Sequence, residues 1–141
     1  MDNKKFNLSP VEYNKILKGI TLETLFLINS KCEFKPYDKF TDELVIKINE
    51  ANEFNDKDNR ININYKYSLS ASPKVEKVKL LNIQAEYLIV LKSKEKFSDD
   101  FYDIYKQLSL PINIWPFFRE FVNNMTSRMN IPPLTLPLLK R

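Results

Sequence analysis

The chain has 141 residues, 43% of them hydrophobic and 28% charged, and a formal net charge of +4. That balance describes a folded domain with its own core rather than a disordered chain, and the charge is too small and scattered to mark a nucleic-acid binder. The absences exclude more: there is no histidine, one glycine (Gly19) and one cysteine (Cys32).

Without histidine the usual general base, the common serine and cysteine triads and most zinc sites are gone. One glycine cannot build a phosphate-cradling loop. A lone cysteine forms no internal disulfide, which suits a reducing compartment, and Cys32 is expected as a small buried hydrophobe in a strand. The opening MDNKK leads into no apolar signal core. The longest apolar run, residues 87–91, is far short of the ~20 residues a membrane helix needs. A cytoplasmic location without membrane insertion is expected.

In chain order, residues 8–20 predict a short helix, with Ser9 as N-cap, Pro10 at the first helical position and Glu12 completing a capping box. Gly19 falls where a left-handed C-cap is expected. Residues 21–34 predict a strand with Phe26, Ile28, Cys32 and Phe34 on one parity and Leu25 and Leu27 on the other. A loop over 35–41 holds Tyr37 and Phe40. A second strand over 42–50 is followed by a polar turn over 51–59. The Asp56-Lys57-Asp58 triplet in that turn resembles the start of a calcium loop, but Ile61 and Tyr67 stand where such a loop needs glycine and glutamate, so no metal is expected.

Residues 60–72 alternate most cleanly: Ile61, Ile63, Tyr65, Tyr67, Leu69 and Ala71 against Asn62, Asn64, Lys66, Ser68 and Ser70. A period of two means a sheet with one buried and one wet face. Pro73-Lys74 makes a turn and residues 75–93 a long fourth strand. Short joints between consecutive strands suggest an antiparallel meander. The period then lengthens. Ser98 caps a helix over 98–108, with Asp99 and Asp100 in its first turn. Pro111 is expected to end it, and Pro116 to open a further helix from about 114 to 129. After Pro132-Pro133 the tail over 134–139 is expected to be extended. The fold class is therefore α+β, a four-stranded antiparallel sheet with C-terminal helices packed on one face and a short N-terminal helix, in a single domain over 1–141.

Acidic pairs such as Asp56/Asp58 and Asp99/Asp100 lie in turns or helix starts, where solvated or capping carboxylates are normal, so no catalytic residue is expected. Tyr65 and Tyr67 near Lys77, Lys79, Lys92, Lys94 and Lys96 could stack bases, but they share the parity of Ile61, Ile63 and Leu69 and belong to the buried face. No nucleic-acid partner is expected. What remains is apolar surface beyond what two helices can cover: Leu25, Phe26, Leu27, Ile28, Leu88, Val90, Trp115, Phe117, Phe118, the methionines and the tail. Such a surplus marks contacts between copies or a site for apolar partners.

One segment carries more than composition. It reads Trp115-Pro116-Phe117-Phe118-Arg119-Glu120, then Met125-Thr126-Ser127-Arg128, then Ile131-Pro132-Pro133-Leu134-Thr135-Leu136-Pro137. This pattern, nearly gap-free, resembles the SecB family of export chaperones. The resemblance implies an ATP-independent holdase, not an enzyme, needing no cofactor. It implies a homotetramer built as a dimer of dimers, with unfolded or nascent polypeptides held in apolar grooves. It places client binding at Phe34, Tyr37 and Phe40 of the first inter-strand loop and at Trp115 and Phe118. Two departures bear on its partners. The C-terminal helix and acidic tail of proteobacterial members do not follow the segment, and Asn62, Asn64, Lys66 and Ser68 stand where those members carry an acidic sheet face. Coupling to the SecA motor is therefore doubtful. The added N-terminal helix suits SecB-like proteins outside export, some of which serve one antitoxin of a toxin–antitoxin system.

Overall fold

The computed structural model describes residues 6–35, 44–58, 60–74, 78–129, 131 and 136–137. Tyr37 and Phe40 lie outside the described residues. The elements run α1 (Pro10–Lys18), β1 (Ile20–Phe34), β2 (Leu44–Lys57), β3 (Arg60–Pro73), β4 (Leu81–Ser93), α2 (Asp99–Leu108) and α3 (Leu110–Arg128).

The four strands form one antiparallel sheet in the order β1-β4-β3-β2. The expected meander holds only for β2, β3 and β4. β1 pairs with β4 at the opposite edge from β2, which makes a Greek key. Matched side chains explain the choice. Beside β4, Leu25 faces Ile89, Leu27 faces Tyr87 and Phe26 faces Leu88. The middle of β2 is polar and would offer those apolar residues no comparable cross-strand partners.

The helices cover one face. The odd-numbered residues of β3 and β4, from Ile61 to Ala71 and from Leu81 to Leu91, are buried there with Phe101, Ile104, Ile114, Phe118 and Val122 of the helices. α1 closes one end, where Tyr13 stacks on Phe101 at 5.0 Å and shares a 2.7 Å hydrogen bond with the Ser109 hydroxyl between α2 and α3. Ser9 and Ser98 accept from the backbone N–H groups of Glu12 and Phe101, as the N-cap positions require.

The structure corrects four local expectations. β2 extends to Lys57 through the stretch expected to be a polar turn, and the reversal is confined to the residues between the Lys57–Arg60 pair, with Asp58 at φ 55°. Aspartate tolerates that left-handed conformation. The polar residues of β2 are partners for buried phenols: Tyr65 donates to Glu50 at 2.7 Å and Tyr102 to Asn52 at 2.5 Å. Secondly, α2 ends at Leu108 as expected, but Pro111 already belongs to the first turn of α3 and Pro116 lies inside that helix, so the next helix opens at Leu110 and not near 114. A first-turn proline removes an N–H that has no helical partner anyway.

Gly19 caps α1 at φ −90°, not left-handed. Its requirement is space: an added Cβ would come within 3.1 Å of the Lys94 Cβ, and the Gly19 carbonyl accepts from the Lys94 N–H. Finally, Cys32 is exposed on the edge strand rather than buried.

Candidate functional site

β1 sets the site. It bulges between Leu22 and Thr24 and again between Leu27 and Asn29. Each extra residue reverses the alternation of side chains downstream. The register with β4 therefore puts Leu22, Leu25, Leu27, Cys32 and Phe34 all on the helix side, while Phe26 faces away beside Leu88. The first bulge is clamped on the open face, where Glu23 pairs with Arg60 at 2.8 Å and with Lys92 at 3.1 Å.

Because β1 is an edge strand, the helices do not fully cover its inward side chains. Leu22 is 51% exposed and Leu27 41%. Between β1 and α3 lies a groove of about 250 Å³, walled by Leu25 and Leu27 on one side and Phe117 and Phe121 on the other, with Glu120 and Asn124 along the helix. Tyr87 forms part of its lining. Its hydroxyl is buried and, among the described residues, has no hydrogen-bond partner, whereas Tyr65 and Tyr102 are satisfied by β2. Burial, with smaller contributions from Tyr67 and the Glu120 carboxylate, pushes the Tyr87 phenol well above its ordinary range, so it stays protonated. The groove is thus walled mainly by apolar side chains, a surface that suits an apolar segment of chain.

A polar concavity of about 280 Å³ on the open face, lined by Glu53, Asn64, Lys66 and Glu86, has no such apolar walls. Among the described residues no group of three or more acidic or cysteine side chains could hold a metal ion, and no helix is long and apolar enough to cross a membrane.

The opposite flank of α3 carries Trp115 and Arg119. The Trp115 indole N–H donates to the Pro137 carbonyl at 2.8 Å and the Arg119 Nε to the Leu136 carbonyl at 2.6 Å, and Leu136 is buried. Trp115 is half-buried and meets Tyr67 edge to face at 5.6 Å.

Of the residues that the sequence assigns to client binding, Trp115 and Phe118 come together, with ring centroids 6.1 Å apart and both rings against Tyr67. Phe118 is completely buried and offers no surface to a client in this conformation. Phe34, opposite Leu81 at the end of β1, packs half-buried against the core. The groove residues Leu25, Leu27, Tyr87, Phe117 and Phe121 were not assigned from sequence. The surplus of apolar residues pointed at three of them, but only the bulges turn Leu25 and Leu27 toward α3.

No family model matches this sequence, and no curated protein does. Solved structures do. The Mycobacterium tuberculosis Rv1957 SecB-like chaperone, in complex with a ChAD peptide from the Rv1956 HigA1 antitoxin, superposes with a TM-score of 0.74 over 87% of this chain and 93% of that one, at 14% identity. The fold is SecB-like. A Streptococcus agalactiae protein of unknown function also matches, with a TM-score of 0.47, 9% identity, and coverage of 84% of this chain and 97% of that chain. In this SecB-like fold the β1–α3 groove and the Trp115–Arg119 flank lie on opposite sides of the longest helix.

Proposed function

We propose that this SecB-like chain is an ATP-independent holdase that keeps non-native polypeptides from aggregating. The observation that carries the reading is the β1–α3 groove, where Leu27 and Phe117 leave apolar surface exposed on its two walls. Apolar walls capture any apolar segment by removing it from water, at about 25 cal/mol per Å². Burial of apolar area requires no particular client sequence. The likeness to a chaperone solved with a bound peptide supports the same direction.

On this reading the chain acts in the cytoplasm as one domain over 1–141, without catalysis or cofactor. Copies associate as a dimer of dimers, which the exposed apolar residues of both edge strands support. Phe34, Tyr37, Phe40 and Trp115 extend the client surface. The wet face of β3, with Asn62, Asn64, Lys66 and Ser68, lacks an acidic surface, so coupling to SecA and to export is not part of the proposal.

The test is light scattering of a chemically unfolded protein diluted into buffer without ATP. Suppression by this protein at equimolar tetramer supports the holdase. Unchanged scattering, with folding and assembly verified on the same sample, removes it. Replacing Tyr37 and Phe40 with serine then tests the loop: full activity in the double variant would exclude those two side chains. One observation favours a second reading, a chaperone dedicated to a single antitoxin: the Mycobacterium tuberculosis protein is bound to an antitoxin peptide. Absence of general suppression together with tight binding of one peptide would select it.

A further inference from the structure

Trp115 and Arg119 stand one turn apart on α3, so their side chains project on the same flank. Both donate to main-chain oxygens of adjacent residues, Pro137 and Leu136. Neither bond reads a side chain. Leu136 itself is only 3% exposed, whereas Pro137 is exposed. The flank therefore holds a short piece of chain by two donors aimed at successive carbonyls and one socket for a leucine-sized side chain. Pro137 fixes its own φ and supplies no N–H, so its carbonyl is the one main-chain hydrogen-bonding group it can offer.

Peptide-binding clefts divide their work in this way, with main-chain hydrogen bonds supplying affinity and a side-chain pocket supplying selectivity. We propose that the Leu136–Pro137 segment is a displaceable internal occupant of a cleft on α3 that accepts extended apolar polypeptide. Displacement by a client rests on the holdase reading; the cleft itself rests only on the contacts of Trp115, Arg119 and Leu136. An internal occupant lowers the apparent affinity for an external chain by the fraction of molecules in which the cleft is free. If the segment is docked in about nine molecules of ten, releasing it tightens external binding about tenfold.

The experiment uses the full chain and a fluorescein-labelled synthetic peptide of residues 132–139, PPLTLPLL. Leu136→Asp puts a charge in the socket and should release the internal segment. Fluorescence anisotropy is then expected to show the peptide binding the variant about tenfold more tightly than the unaltered chain. The emission of Trp115, the only tryptophan, should shift on binding. Adding Arg119→Met to Leu136→Asp should abolish the gain. Equal binding to the variant and the unaltered chain, or a gain that survives Arg119→Met, overturns the proposal. Should Leu136→Asp not fold by circular dichroism, Leu136→Ala carries the same comparison without a buried charge. Suppression of aggregation is read separately on the same samples. A failed holdase with intact peptide binding then strikes the functional reading alone, and an active holdase with equal peptide binding strikes this proposal alone.

Discussion

Phe118 stacks on Tyr67 with ring centroids 4.7 Å apart and planes inclined by 19°, joining the middle of α3 to the centre of the sheet. Both rings are essentially inaccessible, at 0% and 2% exposure. Phe118→Ala would remove a full aromatic ring from a closed site, and such truncations cost about 3–5 kcal/mol. Urea unfolding should show the unfolding free energy reduced by that amount, read as a lower midpoint with an unchanged slope. A loss below about 1 kcal/mol, accompanied by weaker client binding, would instead return Phe118 to the client surface.

Tyr87 makes an unusual prediction for a buried residue. Its hydroxyl is desolvated without a partner among the described residues, a situation that costs about 1–3 kcal/mol. Tyr87→Phe keeps the ring and removes the cost, so it should leave stability unchanged or raise it. A clear drop in the thermal midpoint of the variant would show that the hydroxyl is engaged within the folded chain.

The walls of the groove should behave differently from its floor. Leu27 and Phe117 are 41% and 46% exposed, so Leu27→Ser with Phe117→Ser removes little that folding has buried. Holdase activity is expected to fall several-fold, while urea stability changes by less than about 1.5 kcal/mol. Full suppression of aggregation by the double variant would rule out this groove as the client surface.

Alkali should unfold the protein in a narrow window. Burial raises the phenol of Tyr67 from about 10 to about 12, and that of Tyr105 to about 12 as well. Tyr65, Tyr87 and Tyr102 are raised further, also chiefly by burial. Between these values and the ordinary one, the unfolded chain has lost protons that the folded chain retains, so stability falls as pH rises. The contribution of Tyr67 and Tyr105 is complete below about pH 10 and is lost by about pH 12. Tyrosinate absorbance and circular dichroism should change together in that range. Smooth titration of all tyrosines near pH 10 without loss of structure would contradict the burial.

Much of this architecture is legible in the residues. The alternation of Ile61 to Ala71 and the caps at Ser9 and Ser98 are local patterns, and each matches the structure because period and capping chemistry act over only a few residues. The polar run from Ala51 to Asp56 misleads for the same reason. Read locally it is a turn; in the sheet, Glu50 and Asn52 accept hydrogen bonds from Tyr65 and Tyr102, partners distant in sequence.

By itself the sequence determined the class of the protein: no histidine or glycine-rich loop for common chemistries, four strands, three helices, and more apolar surface than one sheet and its helices can hide. Tertiary structure alone decided where that surplus lies. Two bulges in β1 turn Leu25, Leu27 and Phe34 to the same side, pairing with β4 rather than β2 leaves that strand at an edge, and α3 stops short of covering it. Strand pairing is a non-local choice made among competing partners, and a one-residue bulge reverses every side chain beyond it, so periodicity cannot tell which leucine faces the helix.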